Sequence, residues 1–276
     1  MSEQARRHFW LCADDYGIAP GVNTAIRDLI RRGRLNATSV MVVAPNCTQA
    51  EIDALKNAGK AAIGLHLTLT APFKPLTADF APLAQGAFHP LQAMLQLALL
   101  RKLERTSLIR EVEAQISAFA EAFGRPPDFI DGHQHVHLFP QVRDAVLDGA
   151  RRLAPGAWVR QCVSAIPLHA RLNDPKGLLV DVLSRAVRRR ASGLGIKTNA
   201  AFAGTYTYRP DADFARLFPS FLAGLPEGGL VMCHPGRVDD ELKRLDPLTT
   251  VREHEYAYLA SAAFPAALEA YGLTLN

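Results

Sequence analysis

Residues 9–17 read Phe9-Trp10-Leu11-Cys12-Ala13-Asp14-Asp15-Tyr16-Gly17. Five apolar residues run directly into two adjacent carboxylates, and an amphipathic stretch follows at 20–34. A short apolar run ahead of a helical pattern reads as a buried parallel strand feeding a helix. The pattern recurs. Further apolar runs lie at residues 39–43, 61–67, 128–130, 157–159, 197–201 and 229–233. Helical periodicity lies at 47–58, 107–123, 141–153, 176–191, 214–222 and 251–271. Strand then helix, repeated about seven times, predicts an α/β fold with a parallel sheet. Periodicity fits an open sheet and a barrel equally. The length and the number of units fit a (β/α) barrel-like fold, complete or distorted. Residues 69–105 break the alternation with Pro72, Pro75, Pro82 and Pro90, then an apolar stretch at 91–103. They predict an insertion after the third strand, placed to cover one end of the strands.

Composition narrows the classes. The chain has 276 residues, 49% hydrophobic and 21% charged, an ordinary globular balance. That suffices to bury a core without disulfides, and one domain spanning 1–276 is expected. Cys12, Cys47, Cys162 and Cys233 form no C-x-x-C pair, which excludes a zinc-finger framework and predicts reduced thiols in a cytoplasmic protein. The apolar stretch at 9–13 is too short for a signal sequence, and no run approaches the roughly 18 residues of a membrane span. Net charge is +4, with Arg185, Arg188, Arg189 and Arg190 clustered. That cluster reads first as a solvated helix face. No nucleic-acid-binding pattern accompanies it, so a nucleic-acid partner is not expected.

The chemistry gathers at strand ends, where parallel α/β folds carry their active sites. Asp14 and Asp15 follow the first apolar run, His66 lies within Leu65-His66-Leu67, and Asp131-Gly132-His133-Gln134-His135-Val136-His137 follows the fourth. His234-Pro235-Gly236 follows the seventh. Five of the nine histidines sit at these ends, while His8, His89, His169 and His254 look incidental. Each feature has a bland reading alone: a turn or cap for the aspartates, a hydrogen-bonded core residue for His66, a simple turn for His234. On a straight strand, His133 and His137 would stand about 13 Å apart. One metal cannot then take all three imidazoles of that segment; if the segment turns helical instead, His133 and His137 meet as an i, i+4 pair. Either way one histidine binds directly and the others support it or line the pocket. Taken together, carboxylates and imidazoles from separate strand ends make an Asp-His-His site suited to a transition metal. Such a site hydrolyses amides or esters, with a spare carboxylate as base and a spare histidine as acid. There is no G-x-S-x-G elbow, P-loop or complete dinucleotide fingerprint.

Four segments, in this order, resemble the motifs of the YdjC-like carbohydrate deacetylases, also called the ChbG/HpnK family. They are Ala13-Asp14-Asp15-Tyr16-Gly17 with Pro20-Gly21-Val22-Asn23, Gly64-Leu65-His66-Leu67-Thr68, Asp131 to Pro140, and Met232-Cys233-His234-Pro235-Gly236. The resemblance implies a (β/α)-barrel-like fold and metal-dependent removal of an N-acetyl group from a sugar. By position it implies Asp15, His66 and His133 as metal ligands, Asp14 as general base and His234 as general acid. It implies one divalent ion, Zn or Mg; two imidazoles favour Zn or another transition metal. His135 and His137 fall to the pocket lining or to support of the ligands. Asp131 is a candidate to hold a ligating imidazole. Arg160 is a candidate to bind substrate or an active-site carboxylate. Arg252 and Glu255 read as structural residues of the last helix.

The implied partner is an acetylated saccharide. The apolar 91–103 stretch and the arginine cluster add a lipid-linked sugar approached at a membrane surface. Packing of 91–103 on the barrel, or a homodimer face, is the plainer reading. Hydrolysis of another ester or phosphoester, and a non-catalytic sugar-binding barrel, are the alternatives from other classes.

Overall fold

The computed structural model describes residues 6–164 and 175–275. Residues 1–5 and His169 lie outside that range. The elements in chain order are β1 (Arg7–Tyr16), α1 (Pro20–Arg31), β2 (Ala37–Val40), α2 (Gln49–Lys56), β3 (Ala62–Leu67), α3 (Leu91–Leu99), α4 (Arg105–Phe123) and β4 (Phe129–Gly132). A 3-10 turn at His133–Leu138 leads into α5 (Val142–Leu153) and β5 (Trp158–Val159). Then come α6 (Pro175–Gly193), β6 (Phe202–Ala203), α7 (Phe214–Leu222) and β7 (Gly229–Cys233). The chain closes with α8 (Asp240–Leu245), α9 (Thr250–Ala260), α10 (Ala263–Ala270) and β8 (Leu273–Thr274).

The strands form one parallel sheet in the order β5-β4-β3-β2-β1-β7-β6, with β8 beside the start of β1. The sheet curls into a half-barrel. Its two edges meet through irregular contacts, among them a Ser164–Phe202 bridge, a Val159 N–H bond to the Lys197 carbonyl and bonds between Gln161 and Asn199. Strand burial is near-continuous, as expected of parallel strands covered by helices. α1 shows how the sequence sets the layers. Pro20 opens it, where a missing N–H costs nothing, and Val22, Ala25, Ile26, Leu29 and Ile30 bury one face. α4 begins on Glu104, which accepts from the Thr106 and Ser107 N–H groups, and ends on Gly124 in the left-handed region at φ 71°. β3 and β4 pack closely through Gly64. A Cβ there would lie 2.4 Å from the Phe129 ring, which stacks on Trp158 at 4.4 Å between centroids.

The segment between β3 and α4 is tied to α4. Buried Glu111 accepts from the Leu76 and Thr77 N–H groups and the Thr77 hydroxyl, at 3.1, 2.9 and 2.8 Å. Gln115 exchanges two bonds with the Thr68 backbone. α3 buries Met94 and Ala98 and leaves Leu91 and Leu99 exposed, with Leu100 exposed just after it.

Two expectations need correction, and two elements were unforeseen. The sixth strand is Phe202–Ala203 rather than 197–201. Buried Asn199 bonds the backbone of Gln161 and Ala201, so a side chain replaces the ladder there. The single helix expected over 251–271 is two, because Ser261 breaks it: its hydroxyl donates to the Tyr258 carbonyl and accepts from the Ala263 N–H. α8 and β8 carry too little apolar pattern to have been foreseen. Among the described residues, no helix is long and apolar enough to cross a membrane.

Candidate active site

Two adjacent residues on a strand point to opposite faces. Asp14 and Asp15 nevertheless both reach the C-terminal mouth of the sheet. Asp15 adopts the left-handed region at φ 70°, and the β1–β2 register shifts between Ala13 and Tyr16. Left-handed backbone of this kind is costly for a residue that carries a Cβ and is held here by the surrounding structure. Asp14 and Asp15 are 2% and 1% exposed, so each carboxylate needs a partner inside the protein.

Their partners differ. Asp15 Oδ1 lies 3.1 Å from His66 Nε2 and 2.9 Å from His133 Nδ1. Asp15 Oδ2 accepts from Arg252 Nη2 at 2.6 Å. Asp14 accepts from both terminal nitrogens of Arg160, each at 2.6 Å. The same guanidinium reaches Asp131 Oδ2 at 2.5 Å and Cys12 Sγ at 3.1 Å. Both arginines are fully buried. Burial alone would raise both carboxyl groups. Arg160 outweighs it for Asp14, with His66 and His234 adding to the effect. Arg252 and His133 outweigh it for Asp15. Both therefore stay ionised, well below the usual carboxylate range.

His66 and Asp131 are register neighbours on β3 and β4. His66 Nδ1 donates to Asp131 Oδ1 at 2.7 Å, with the Ser39 hydroxyl at 2.9 Å, and so turns Nε2 toward Asp15. Burial opposes a charge on His66, yet Asp131 and Asp14 overcome it and push its pKa up to about 10. The cluster thus carries enough negative charge to retain a cation, here a proton. One donor atom each from Asp15, His66 and His133 lies within 4.8 Å of the others. Two imidazoles and a carboxylate at that spacing fit a divalent transition metal. An imidazole whose other N–H is held by a carboxylate is the usual supported ligand.

The three histidines of the fourth motif diverge. The chain leaves β4 through the 3-10 turn with Gln134 and His135 at φ 53° and 60°. His133 turns to Asp15. His137 is buried with Nε2 3.2 Å from the Arg160 carbonyl, and burial pulls its pKa well below the ordinary value, so it is neutral. His135 stands 3.7 Å from Cys162 Sγ, edge-on to Phe202, and burial lowers its pKa to about 3.

His234 opens the turn after β7. Its N–H donates to Glu255 Oε2, and its ring meets the Tyr208 ring edge-on at 5.5 Å. Glu255 is buried, which raises its carboxyl above the ordinary value. It also accepts from the Tyr206 hydroxyl at 2.6 Å. Gly204 lets this loop close on β7: its φ is 105°, and a Cβ would lie 2.1 Å from the Met232 carbonyl oxygen. On the insertion side, Phe73 packs edge-on to the His133 ring at 5.9 Å.

Sequence reasoning passed over Ser39, Cys12, Tyr206 and Tyr208. It also took Arg252 and Glu255 for structural residues of the last helix. Their one sequence signal is the three-residue spacing, which sets both on one face of α9.

A curled parallel half-barrel with an Asp-His-His cluster and a second carboxylate at its C-terminal mouth defines the class: an α/β protein built around a candidate metal centre. Comparison with known proteins places it further. The profile of the YdjC-like protein family matches residues 8–270, and the chain belongs to that family. A chitooligosaccharide deacetylase of Yersinia pestis (strain Pestoides F) is 30% identical over 238 residues, covering 83% of this chain and 82% of its own. One from Citrobacter koseri is 26% identical over 236 residues, with 84% and 82% covered. A crystal structure from Enterococcus faecalis V583, of a protein provisionally named for cellobiose-phosphate cleavage, shares the fold with a TM-score of 0.73. It is 21% identical and covers 98% of this chain and 97% of its own.

Proposed function

We propose that this protein is a metal-dependent carbohydrate deacetylase, hydrolysing the N-acetyl group of an acetylated saccharide to acetate and a free amino sugar. The observation that carries the reading is the pairing of Asp15, His66 and His133 with an ionised second carboxylate, Asp14, beside them. Asp15, His66 and His133 would hold one divalent ion, Zn or Mg, and the two imidazoles favour Zn. Such an ion, when bound, polarises a carbonyl and acidifies water.

The chain's own groups perform the proton transfers. Asp14 takes a proton from the attacking water as the new C–O bond forms. Arg160 keeps Asp14 ionised and fixes its plane, which also makes it a weak base, so the water itself must be acidic. His234 gives a proton to the sugar nitrogen as the C–N bond breaks, leaving a neutral amine. Glu255 and Tyr206 hold His234 through its backbone. Asp131 keeps His66 in the tautomer that presents Nε2. His135, His137 and Phe73 line the site, and the neutral imidazoles add no charge to it.

A free acetylated oligosaccharide is the substrate this reading names first. A lipid-linked acetylated sugar is second, favoured by exposed Leu99 and Leu100 at the end of α3, in the same segment that brings Phe73 to His133. The test is acetate release from N-acetylated chito-oligosaccharides and from lipid-linked N-acetyl sugars. Release from either class, abolished in Asp14→Asn, is expected. Near-native rates in Asp14→Asn at saturating substrate would remove Asp14 as base, and ester or phosphoester cleavage without acetate release from the sugars would replace the reading.

A further inference from the structure

Of the three groups proposed as ligands, only Asp15 has a second donor atom to offer. Oδ1 faces the two imidazoles, and Oδ2 accepts from Arg252 Nη2 at 2.6 Å. The guanidinium is fully buried and is gripped from behind. Nη2 also bonds Asp246 Oδ2 at 2.7 Å, and Nε donates to the Leu248 carbonyl at 2.9 Å. The Arg252 carbonyl accepts from the Gly236 N–H at 3.0 Å, which docks α9 on the turn that carries His234. Arg252 cannot swing away without stranding Asp246, and Oδ2 cannot leave without half-unpairing a buried cation.

Resting on the metal-dependent reading above, we infer that Arg252 restricts Asp15 to a one-oxygen ligand and so holds the protein's contribution to three donor atoms. A carboxylate free of this contact can present both oxygens to a divalent ion. Catalytic ions characteristically take three protein donors and keep a position open. Arg252 enforces that count at the expense of binding strength, because it withdraws one oxygen and sets a positive charge beside the ion. The sign of the effect separates this role from a merely structural one. Losing an outer partner that only orients a ligand weakens metal binding by about 10- to 100-fold. Losing Arg252 is predicted to strengthen it.

The experiment strips metal from the full chain and titrates cobalt(II), followed by calorimetry and by visible absorption. Arg252→Met is expected to bind cobalt about tenfold more tightly than the native chain, since a buried positive charge is gone. Its visible bands should weaken as a further oxygen joins the ion. Arg252→Lys keeps a cation at Oδ2 and should restore the native affinity and spectrum. If Arg252→Met does not fold, Arg252→Met with Asp246→Leu removes the stranded carboxylate and should show the same tightening. Cobalt affinity equal to or weaker than native in the folded variant overturns the inference. A native chain that takes up no cobalt overturns the metal-dependent reading itself. A native chain that binds cobalt and releases acetate, beside a variant that binds no tighter, overturns only the role of Arg252.

Discussion

Two buried clusters of potential metal donors lie side by side at the end of β1. Cys12, Asp14 and Asp131 form one; Asp15, His66 and His133 form the other. The first holds a guanidinium in its midst, because Arg160 touches all three residues. In the second, the donors face one another, and the nearby Arg252 meets only the outer oxygen of Asp15. One cluster is neutralised by the chain itself. The other is arranged to receive a cation. On the proposed function, adjacent residues of one strand would thereby do different work, Asp14 moving a proton and Asp15 holding an ion.

Several substitutions would break or sharpen that contrast. The largest effect is expected from Asp15→Asn or His133→Ala, which should lose both the metal and about ten-thousandfold or more in turnover; elemental analysis with an acetate assay checks both at once. Asp14→Asn should lose about 100- to 10,000-fold in kcat, the range for a general base, while metal content stays within twofold of native. If that variant loses its metal as well, the two clusters are one unit and the contrast fails. Arg160→Met strands Asp14 and Asp131, and should cost about 3 kcal/mol of stability in denaturant unfolding. Glu255→Gln keeps an acceptor for the His234 N–H but removes its charge, and should lower kcat about tenfold with little change in metal content. Gly64→Ala, which touches no donor of either cluster, should cost about 1–2 kcal/mol as the Phe129 ring is displaced; an unshifted melting temperature would contradict the tight β3–β4 packing.

Much of this was legible in the sequence, for definable reasons. Parallel strands are apolar throughout, so β1, β3 and β7 stand out, and polar residues at their ends are conspicuous. Asp14, Asp15, His66, Asp131, His133 and Arg160 all sit directly after or within such runs, and the structure gathers them. Two-residue strands such as β6 and β8 have no periodicity to read. Arg252 and Glu255 escaped because a helix discloses its buried face through apolar residues, and here part of that face is charged. Their partners lie 237 and 21 residues away, a pairing that only the folded topology reveals. That His133, His135 and His137 would part company was legible from their spacing; the path that parts them was not, since it depends on left-handed backbone at Gln134 and His135.

The central claim is that the Asp15 cluster takes a divalent ion on which removal of a sugar N-acetyl group depends. The direct measurement is acetate release from an N-acetylated chito-oligosaccharide by the native chain, before chelation, after chelation, and on stepwise return of zinc. The account predicts release that chelation abolishes and that returns in full at one equivalent of metal per chain. Acetate release that survives complete removal of metal, or a metal-loaded chain that binds the sugar and releases none, would contradict it.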